Sequence, residues 1–306
     1  METEIKSMKP PLTYYGGKQR MASKIIPHIP KHTVYCEPFC GGATMLFKKP
    51  YPAITNSHHY REIINDVDKS LINFFKQLRD NGEELCEKIE FSLYSEHEYY
   101  SPKFDSLYDD DPIEWARKYF INTQQSFGLK LNGGWGRGVY STNLSLTWRA
   151  KKNNLYKFID RIEQVAISCT DYSKMIDQYD SPQTFFYLDP PYPGTAQGSY
   201  AQKFDTADFK NLIEKLKDVQ GSFILSCYDF GYNVPDDWEK IDFKSYCSAS
   251  GKGKVGKNKD RSKKASAESL GKIERVETIF KRGPRVEPRA EIQKLYDSGK
   301  YDCFKG

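Results

Sequence analysis

Asp189, Pro190, Pro191 and Tyr192 are the residues whose types and order most directly suggest chemistry in this chain. They follow the apolar and aromatic run 185–188, which predicts a buried strand that ends in a loop. The two prolines stiffen that loop, because each fixes its own φ and removes a backbone donor. The loop therefore presents a carboxylate, a rigid carbonyl acceptor and an aromatic ring at the edge where open α/β sheets bind ligands.

A flat ring that carries an amine fits such a loop. Tyr192 can stack on the ring, while the Asp189 carboxylate and the Pro190 carbonyl can each accept a hydrogen from one NH2 group. The amine of a nucleobase is a poor nucleophile because its lone pair is delocalised, and two acceptors favour the tetrahedral form that restores the lone pair. The alternative is a proline turn in which Asp189 caps a helix, and four residues alone do not decide between the two.

A strand predicted over 33–37 ends at Glu37 and precedes the glycine-rich turn 38–43 and a helix from Thr44. Strand, glycine turn and helix in that order let a cofactor approach the backbone closely. The turn lacks the GxGxxG pattern and the chain has no P-loop, so phosphate binding is not implied. An acid before the turn suits a cofactor with a positive centre and an amine.

A second strand predicted over 61–68 places Asp66 at its carboxyl end, where an acid commonly holds ribose hydroxyls. An acid in this position can equally cap the helix predicted over 69–78. Both interpretations hold if Asp68 is the cap.

Two more segments carry residues suited to ligand binding. Gly16 and Gly17 precede a predicted helix, where Lys18 can reach an anionic group, although an ordinary glycine turn is the alternative. A strand predicted over 165–169 leads to Asp171 and Tyr172, an acid and an aromatic ring that could hold an adenine amine and ring.

The remaining pattern is mixed. Residues 69–130 read as helical, and we expect the aromatic residues of this stretch in the core, among them Trp115, Tyr119, Phe120 and Phe127. Further elements are a helix over 209–219 and strands over 222–226 and 274–280. The polar stretch 195–204, with Tyr200 and Phe204, is typical of a lid over a site.

The composition excludes several classes of protein. Of 306 residues, 38% are hydrophobic and 14% aromatic, enough for a sizeable core. The seven cysteines are odd in number and scattered, which favours reduced thiols in a cytoplasmic protein. Cys36 and Cys40 have no neighbouring histidines, so no metal is expected. No signal peptide or membrane-spanning run is evident, so no membrane is expected.

The net charge is +5, and two stretches that carry basic residues and glycines suit nucleic acid. Basic, amide and aromatic side chains interleave with glycines over 129–149, which predicts a loop or hairpin that approaches DNA. The stretch 251–264 predicts a flexible clamp on phosphates, with a solvated loop as the alternative. The predicted DNA contacts are Lys130, Asn132, Trp135, Arg137, Asn143, Arg149, Lys252, Lys254, Lys257, Lys259, Arg261, Lys263 and Lys264.

Taken in order, these motifs resemble the Dam-type, alpha-class DNA adenine-N6 methyltransferases. The resemblance rests on Tyr14-Tyr15-Gly16-Gly17-Lys18, Glu37-Pro38-Phe39-Cys40-Gly41-Gly42, Asn65-Asp66 and Asp189-Pro190-Pro191-Tyr192. The segment Glu274-Arg275-Val276-Glu277-Thr278 is similar to the late strand of the family. Each motif is weak alone, whereas four in family order over nearly the whole chain are specific.

The resemblance implies an α/β fold, a Rossmann-like methyltransferase sheet that binds S-adenosylmethionine, with a mostly helical insert. The catalytic domain would comprise 11–70 and 160–282, and the target-recognition domain 71–159. Residues 283–306 would form a C-terminal tail.

The resemblance also implies site roles. Tyr14, Lys18, Glu37, Phe39 and Gly41 would contact the cofactor near its methionine part, Asp66 its ribose, and Asp171 and Tyr172 its adenine. Asp189, Pro190, Pro191 and Tyr192 would form the catalytic loop, with Asp189 also beside the cofactor. An adenine flipped out of duplex DNA would stack on Tyr192, and its N6 would attack the methyl group in line, without a metal.

Other readings stay open at this stage. Cytosine N4 is also an exocyclic amine, and a DNA-binding relative without catalysis would keep the fold. An RNA or a protein amide could also be the acceptor. The expected partner is double-stranded DNA, met by a monomer or weak dimer, with a cognate restriction endonuclease left open.

Overall fold

The computed structural model describes residues 8–14, 16–50, 60–101, 110–129, 131, 133–138, 143–193, 204–228, 231–248 and 272–297. Seven strands form one mixed sheet: β1 Val34–Glu37, β2 Arg61–Asn65, β3 Val165–Ser168, β4 Thr184–Leu188, β5 Ser222–Cys227, β6 Glu239–Ser248 and β7 Lys272–Arg282. Their order across the sheet is β3-β2-β1-β4-β5-β7-β6.

The first five strands run parallel, and β7 inserts antiparallel between β5 and β6. The strand order reverses between β1 and β4, which both leave their carboxyl ends at one edge. A crevice opens beyond such a switch point in open α/β sheets. The sheet confirms the predicted α/β Rossmann-like fold.

The helices are α1 Ala22–Ile25, α2 Thr44–Lys48, α3 Lys69–Asp80, α4 Gly82–Glu90, α5 Glu96–Tyr100, α6 Pro112–Gln125, α7 Leu144–Asn154, α8 Ile159–Ile162, α9 Tyr172–Tyr179, α10 Thr206–Asp218 and α11 Ala290–Asp297. Asp68 caps α3 by accepting the N–H groups of Ser70 and Leu71. Asp205 and Asp208 form a capping box at the start of α10. Short polar side chains thus fix where these helices begin.

Two buried clusters cover the sheet. β4 and β5 are buried along their whole lengths, as expected for parallel strands covered on both faces. One cluster joins the sheet to α3, α4 and α6 without a break, and the other packs α9 and α10 against the sheet. The split of the chain into a catalytic domain and a recognition insert at 71–159 stays a prediction.

A buried ion triad ties β2 to two neighbouring segments. Glu62 accepts hydrogen bonds from Lys49 and from Arg161, whose Nη1 lies 2.6 Å from Glu62 Oε2. Arg161 also donates to the Leu46 carbonyl at 3.0 Å. The side chains of Lys49, Glu62 and Arg161 are exposed by only 0%, 2% and 4%.

Parts of the sequence-based prediction need correction. Phe127 is 76% exposed and lies in a short 3-10 turn, so its assignment to the core was wrong. The predicted loop over 129–149 is wrong from Leu144 onward, where α7 begins. β6 and α11 were not predicted, although Ile241 and Phe243 alternate with polar residues in the manner of a strand. Within the described part of the chain, no helix is long and apolar enough to cross a membrane.

Candidate active site

A pocket opens at the carboxyl ends of β1, β2 and β4. Its empty volume is about 970 Å³, which includes the space open to solvent at its mouth. All nine residues predicted to bind a cofactor line it: Tyr14, Lys18, Glu37, Phe39, Gly41, Asp66, Asp171, Tyr172 and Asp189. Residues that lie far apart in sequence therefore converge because parallel strands end at the same edge.

The glycine turn after β1 forms the floor of the pocket. Gly41 has φ +46°, and a Cβ there would lie 3.1 Å from the Tyr14 ring. A Cβ on Gly42 would lie 2.9 Å from the Tyr14 Cβ atom. Glycine is therefore required at both positions for the Tyr14 ring to lie against the turn. The positive φ of Gly41 is a conformation that glycine adopts without steric cost.

Asp66 holds this turn in place from the end of β2. Its Oδ2 accepts the Gly41 N–H at 3.0 Å, and its Oδ1 accepts the Asp68 N–H at 3.0 Å. Burial raises the pKa of Asp66 to about 6, although both backbone bonds act against that shift. The structure gives Asp68 the helix cap and leaves Asp66 in the pocket. A carboxylate has about four acceptor positions, so Asp66 retains capacity for ligand hydroxyls.

Glu37 lies at the end of β1 with its side chain buried in the pocket wall. It accepts a hydrogen bond from the Tyr35 hydroxyl at 2.7 Å. Burial raises the pKa of Glu37 to about 8, and the hydrogen bonds from Tyr35 and the Leu46 backbone only partly oppose it. A buried acid of this kind is suited to facing a cationic group.

Glu37→Gln is expected to raise the melting temperature relative to the parent, by an amount that grows as pH rises from about 4.5 to about 8. The folded pKa lies above the unfolded one, so the parent loses stability across that window as the unfolded chain releases the proton first. Glutamine has no proton to lose, and its oxygen can still accept from Tyr35. Thermal unfolding at several pH values checks this, and a difference independent of pH would contradict it.

Aromatic rings form one wall of the pocket. Phe39 and Tyr172 stack with ring centroids 5.1 Å apart, and Phe204 meets both rings edge-on at 5.5 and 5.8 Å. Asp171 caps α9 by accepting the Ser173 N–H at 2.8 Å. Phe204 is a pocket residue that the sequence analysis placed only in a lid. Most of that lid, 195–203, lies outside the described residues.

Charged side chains from three parts of the chain meet beside the loop after β4. Lys18 Nζ lies 2.9 Å from Asp189 Oδ1 and 2.9 Å from Glu277 Oε1. The Tyr192 hydroxyl lies 3.1 Å from Asp189 Oδ1 and 3.0 Å from Ser226 Oγ. Burial raises the pKa of Asp189, and Lys18 opposes that shift.

Tyr192 faces inward in this structure. Its ring is 9% exposed, lies 4.6 Å from Lys18 Nζ and meets Tyr228 edge-on at 4.7 Å. Pro190 is also buried, whereas Pro191 lines the pocket. The stacking of a base on Tyr192 therefore stays a prediction.

The comparison with known proteins bears on this geometry. Residues 14–248 match the D12 class N6 adenine-specific DNA methyltransferases, a span that includes the pocket and the Asp189 loop.

The chain belongs to this family.

The curated relatives have low sequence identity to this chain, and their names agree with the family assignment. A type II methyltransferase, M.MjaIII of Methanocaldococcus jannaschii, is 24% identical over 234 residues, covering 67% of this chain and 76% of the relative. The DNA adenine methylase of Haemophilus influenzae is 24% identical over 244 residues, covering 72% and 80%. Modification methylase StsI of Streptococcus sanguinis is 25% identical over 231 residues, covering 68% of this chain and 32% of that protein. The protein is an adenine-specific DNA methyltransferase.

Glu277 is a site residue of the methyltransferase that the sequence analysis did not select. It lies on β7, opposite β5, and contacts Lys18 and Tyr192 across the sheet. The sequence showed only a carboxylate inside the strand predicted over 274–280, and it did not indicate which residues Glu277 would contact. Buried carboxylates are rare unless they are paired.

The four predicted DNA contacts that the structure describes do not line the pocket. Trp135 is half-buried and donates to Gln125 Oε1 at 3.3 Å, and Asn143 caps α7. Arg137 is exposed and pairs with Glu96 at 3.2 Å, while Arg149 is exposed on α7. The other predicted contacts lie outside the described residues, namely Lys130, Asn132, Lys252, Lys254, Lys257, Lys259, Arg261, Lys263 and Lys264.

Five cysteines in the part of the chain that the structure describes are free thiols, namely Cys36, Cys40, Cys86, Cys169 and Cys227. Across the ranges that the structure describes, no group of three or more His, Cys, Asp or Glu side chains could hold a metal ion.

Proposed function

We propose that the pocket binds S-adenosylmethionine and that the Asp189 loop presents N6 of an adenine from duplex DNA to it. The observation that carries this proposal is the convergence of the nine predicted cofactor residues on one pocket that includes Asp189. Methyltransferases of this family use S-adenosylmethionine in general. The proposal adds which residues of this chain bind the cofactor and how they serve the reaction.

The chemistry of the lining suits this cofactor. Asp66 would accept hydrogen bonds from ribose hydroxyls, and the aromatic wall of Phe39 and Tyr172 would contact the adenine ring. Glu37 would face the cationic methionine end, near the Tyr14 ring and the Gly41 turn. The cofactor, when bound, supplies an activated methyl group on a positively charged sulfur. Because that group is already activated, the proposed reaction needs no metal.

The residues of the catalytic loop would act on the acceptor. The Asp189 carboxylate and the Pro190 carbonyl would each accept a hydrogen bond from the adenine amine. These two hydrogen bonds would localise the lone pair on N6. These groups are fixed before the substrate arrives, which is the basis of electrostatic preorganisation. Tyr192 would stack on the base, and extrusion of that base from the duplex costs a few kcal/mol, as is typical of base flipping.

The stretch 251–264 is proposed to clamp the DNA backbone. Changing its seven basic residues to glutamine is expected to weaken binding to all DNA sequences alike. The dependence of log K on log salt should flatten by about 0.9 for each phosphate that the variant no longer neutralises, because fewer counterions are released. Fluorescence anisotropy with duplexes of several sequences, titrated at several salt concentrations, measures both effects.

Lys210, Lys215 and Lys217 of α10 provide a control for general charge loss. Their change to glutamine should leave the salt slope close to that of the parent. A clamp variant that keeps the parental slope would refute the clamp.

Type II methyltransferases in general pair with restriction enzymes, so a restriction endonuclease that cuts the same sequence is the protein partner the proposal expects. We propose a cytoplasmic enzyme that acts on DNA as a monomer or weak dimer.

The function is tested by incubating the protein with labelled S-adenosylmethionine and random-sequence duplex DNA, followed by modification-sensitive sequencing. The expected product is adenine methylated at N6 within one short sequence motif. Methylation of cytosine instead would overturn the acceptor, and absence of any label in DNA would overturn the reaction.

A further inference from the structure

Lys18 is shared between two carboxylates from different parts of the fold. Its Nζ lies 2.9 Å from Asp189 Oδ1 on the loop after β4 and 2.9 Å from Glu277 Oε1 on β7. The Lys18 side chain is 8% exposed and that of Glu277 is 10% exposed, so water screens neither charge well. With both acids ionised, one cation serves two anions and the cluster carries one net negative charge.

We propose that Glu277 is a positioning residue that holds the Lys18 ammonium and so leaves Asp189 free to accept a hydrogen from the substrate amine. This inference rests on the proposed function of the site. Glu277 does not line the pocket, so it would act through Lys18 rather than on the substrate or the cofactor.

The geometry shows why a second carboxylate is needed. Asp189 Oδ1 already faces both Lys18 Nζ at 2.9 Å and the Tyr192 hydroxyl at 3.1 Å. An ammonium that belonged to Asp189 alone would compete with the substrate amine for the carboxylate. Because Glu277 Oε1 is equally close, Lys18 can give up Asp189 without losing a partner in a buried site, where a lone charge is costly.

The sheet fixes Glu277 in this position. β7 pairs with β5 in a register that sets Thr278 opposite Cys227, and Glu277 reaches the Tyr192 hydroxyl at 3.3 Å. The Tyr192 hydroxyl also lies 3.0 Å from Ser226 Oγ on β5. A strand paired on both sides, rather than a loop, therefore carries the second carboxylate.

The charges around Asp189 give this role a pH signature. The groups that face it are Lys18, Glu277, Tyr192 of its own loop and Tyr187 of β4. Burial raises the pKa of Asp189, Lys18 lowers it and Glu277 raises it, while the pKa values of both tyrosines stay well above 10. Asp189 accepts a hydrogen bond as a carboxylate, so activity should fall on the acidic side of its pKa. Removing the Glu277 charge lowers that pKa, and the acidic limb should move to lower pH.

The test compares single-turnover methyl transfer to duplex DNA by the parent and by Glu277→Gln across the acidic pH range. We expect the plateau rate of Glu277→Gln to fall about tenfold, because Lys18 then competes with the substrate amine for Asp189. We also expect its acidic limb to move to lower pH, with cofactor affinity unchanged. Glu277→Asp keeps the charge, so its limb should stay close to that of the parent and its rate should partly recover.

The outcomes separate the possibilities. Lys18 keeps Asp189 as a partner in Glu277→Gln, so this variant is expected to fold. If Glu277→Gln does not fold, Glu277→Met is used in its place, because methionine has no amide that needs hydrogen-bond partners. A parental rate and limb would overturn the inference. So would a slower rate with an unmoved limb that Glu277→Asp does not improve, because that pattern indicates a merely structural role. A parent that transfers no methyl group would overturn the proposed function itself and this inference with it.

Discussion

Asp189→Asn is expected to lower the single-turnover rate of methyl transfer by at least about 10²–10³-fold, the typical effect of removing one preorganised electrostatic group. Asparagine keeps the size of the side chain but removes the negative charge that would accept a hydrogen bond from the adenine amine. Folding should survive, because Lys18 still has Glu277 as a partner at 2.9 Å. Transfer of labelled methyl groups to duplex DNA measures the rate, and thermal unfolding checks the fold.

A matched control for this change is Asp177→Asn. Asp177 is an acid on α9 whose side chain is 65% exposed and pairs with Lys215 at the surface. Its replacement should leave the methyl transfer rate within about twofold of the parent, since exposed pairs contribute little. Equal rates for Asp189→Asn and the parent would contradict the assignment of Asp189 as the acceptor.

Glu62→Gln is expected to destabilise the fold by about 3–5 kcal/mol, the usual cost of removing one partner from a buried ion pair. The change leaves the cations of Lys49 and Arg161 buried without the carboxylate that both now contact. The three side chains join the end of α2, strand β2 of the sheet and α8, so the loss would affect packing between these elements. Urea unfolding of the parent and the variant gives the difference in free energy.

Glu214→Gln tests whether this effect comes from burial. Glu214 pairs with Lys217 at 2.6 Å, but its side chain is 67% exposed on α10. Exposed pairs contribute about 0–1 kcal/mol, so this variant should unfold close to the parent. If Glu62→Gln cost no more than Glu214→Gln, the triad would not contribute to stability as described.

The pocket could be predicted from sequence because its residues follow buried strands. Glu37, Asp66 and Asp189 lie at the ends of buried strands or directly after them, and parallel strands carry such residues to one edge. The sequence left open whether Asp66 binds a ligand or caps the helix, and the structure gives the cap to Asp68. The sequence therefore predicted the parallel strands of the sheet and nine of the residues that line the pocket.

Glu277 could not be assigned from local pattern. It meets Tyr192 across 85 residues of sequence, through an antiparallel strand whose place between β5 and β6 no nearby motif specifies. The prediction that Phe127 lies in the core was wrong for a related reason. Its aromatic type favours the core, but α6 ends at Gln125 and Gly128 takes a positive φ, which turns the chain at the surface.

The DNA contact predicted for Trp135 stays a prediction. In the structure its indole donates to Gln125 and packs 5.2 Å from Tyr94, contacts that the glycines and basic residues around it do not indicate. An aromatic residue in a basic loop can thus anchor that loop to the helices. Which neighbours face DNA depends on contacts between segments, which spacing alone does not reveal.

The most direct measurement is to locate the bound cofactor by ultraviolet cross-linking of tritium-labelled S-adenosylmethionine to the full chain, with peptide mapping by mass spectrometry. We predict label on peptides that contain Tyr14, Phe39 or Tyr172, and loss of that label when unlabelled S-adenosylhomocysteine competes. Label confined to other parts of the chain, with none in these peptides, would contradict the assignment of this pocket to the methyl donor.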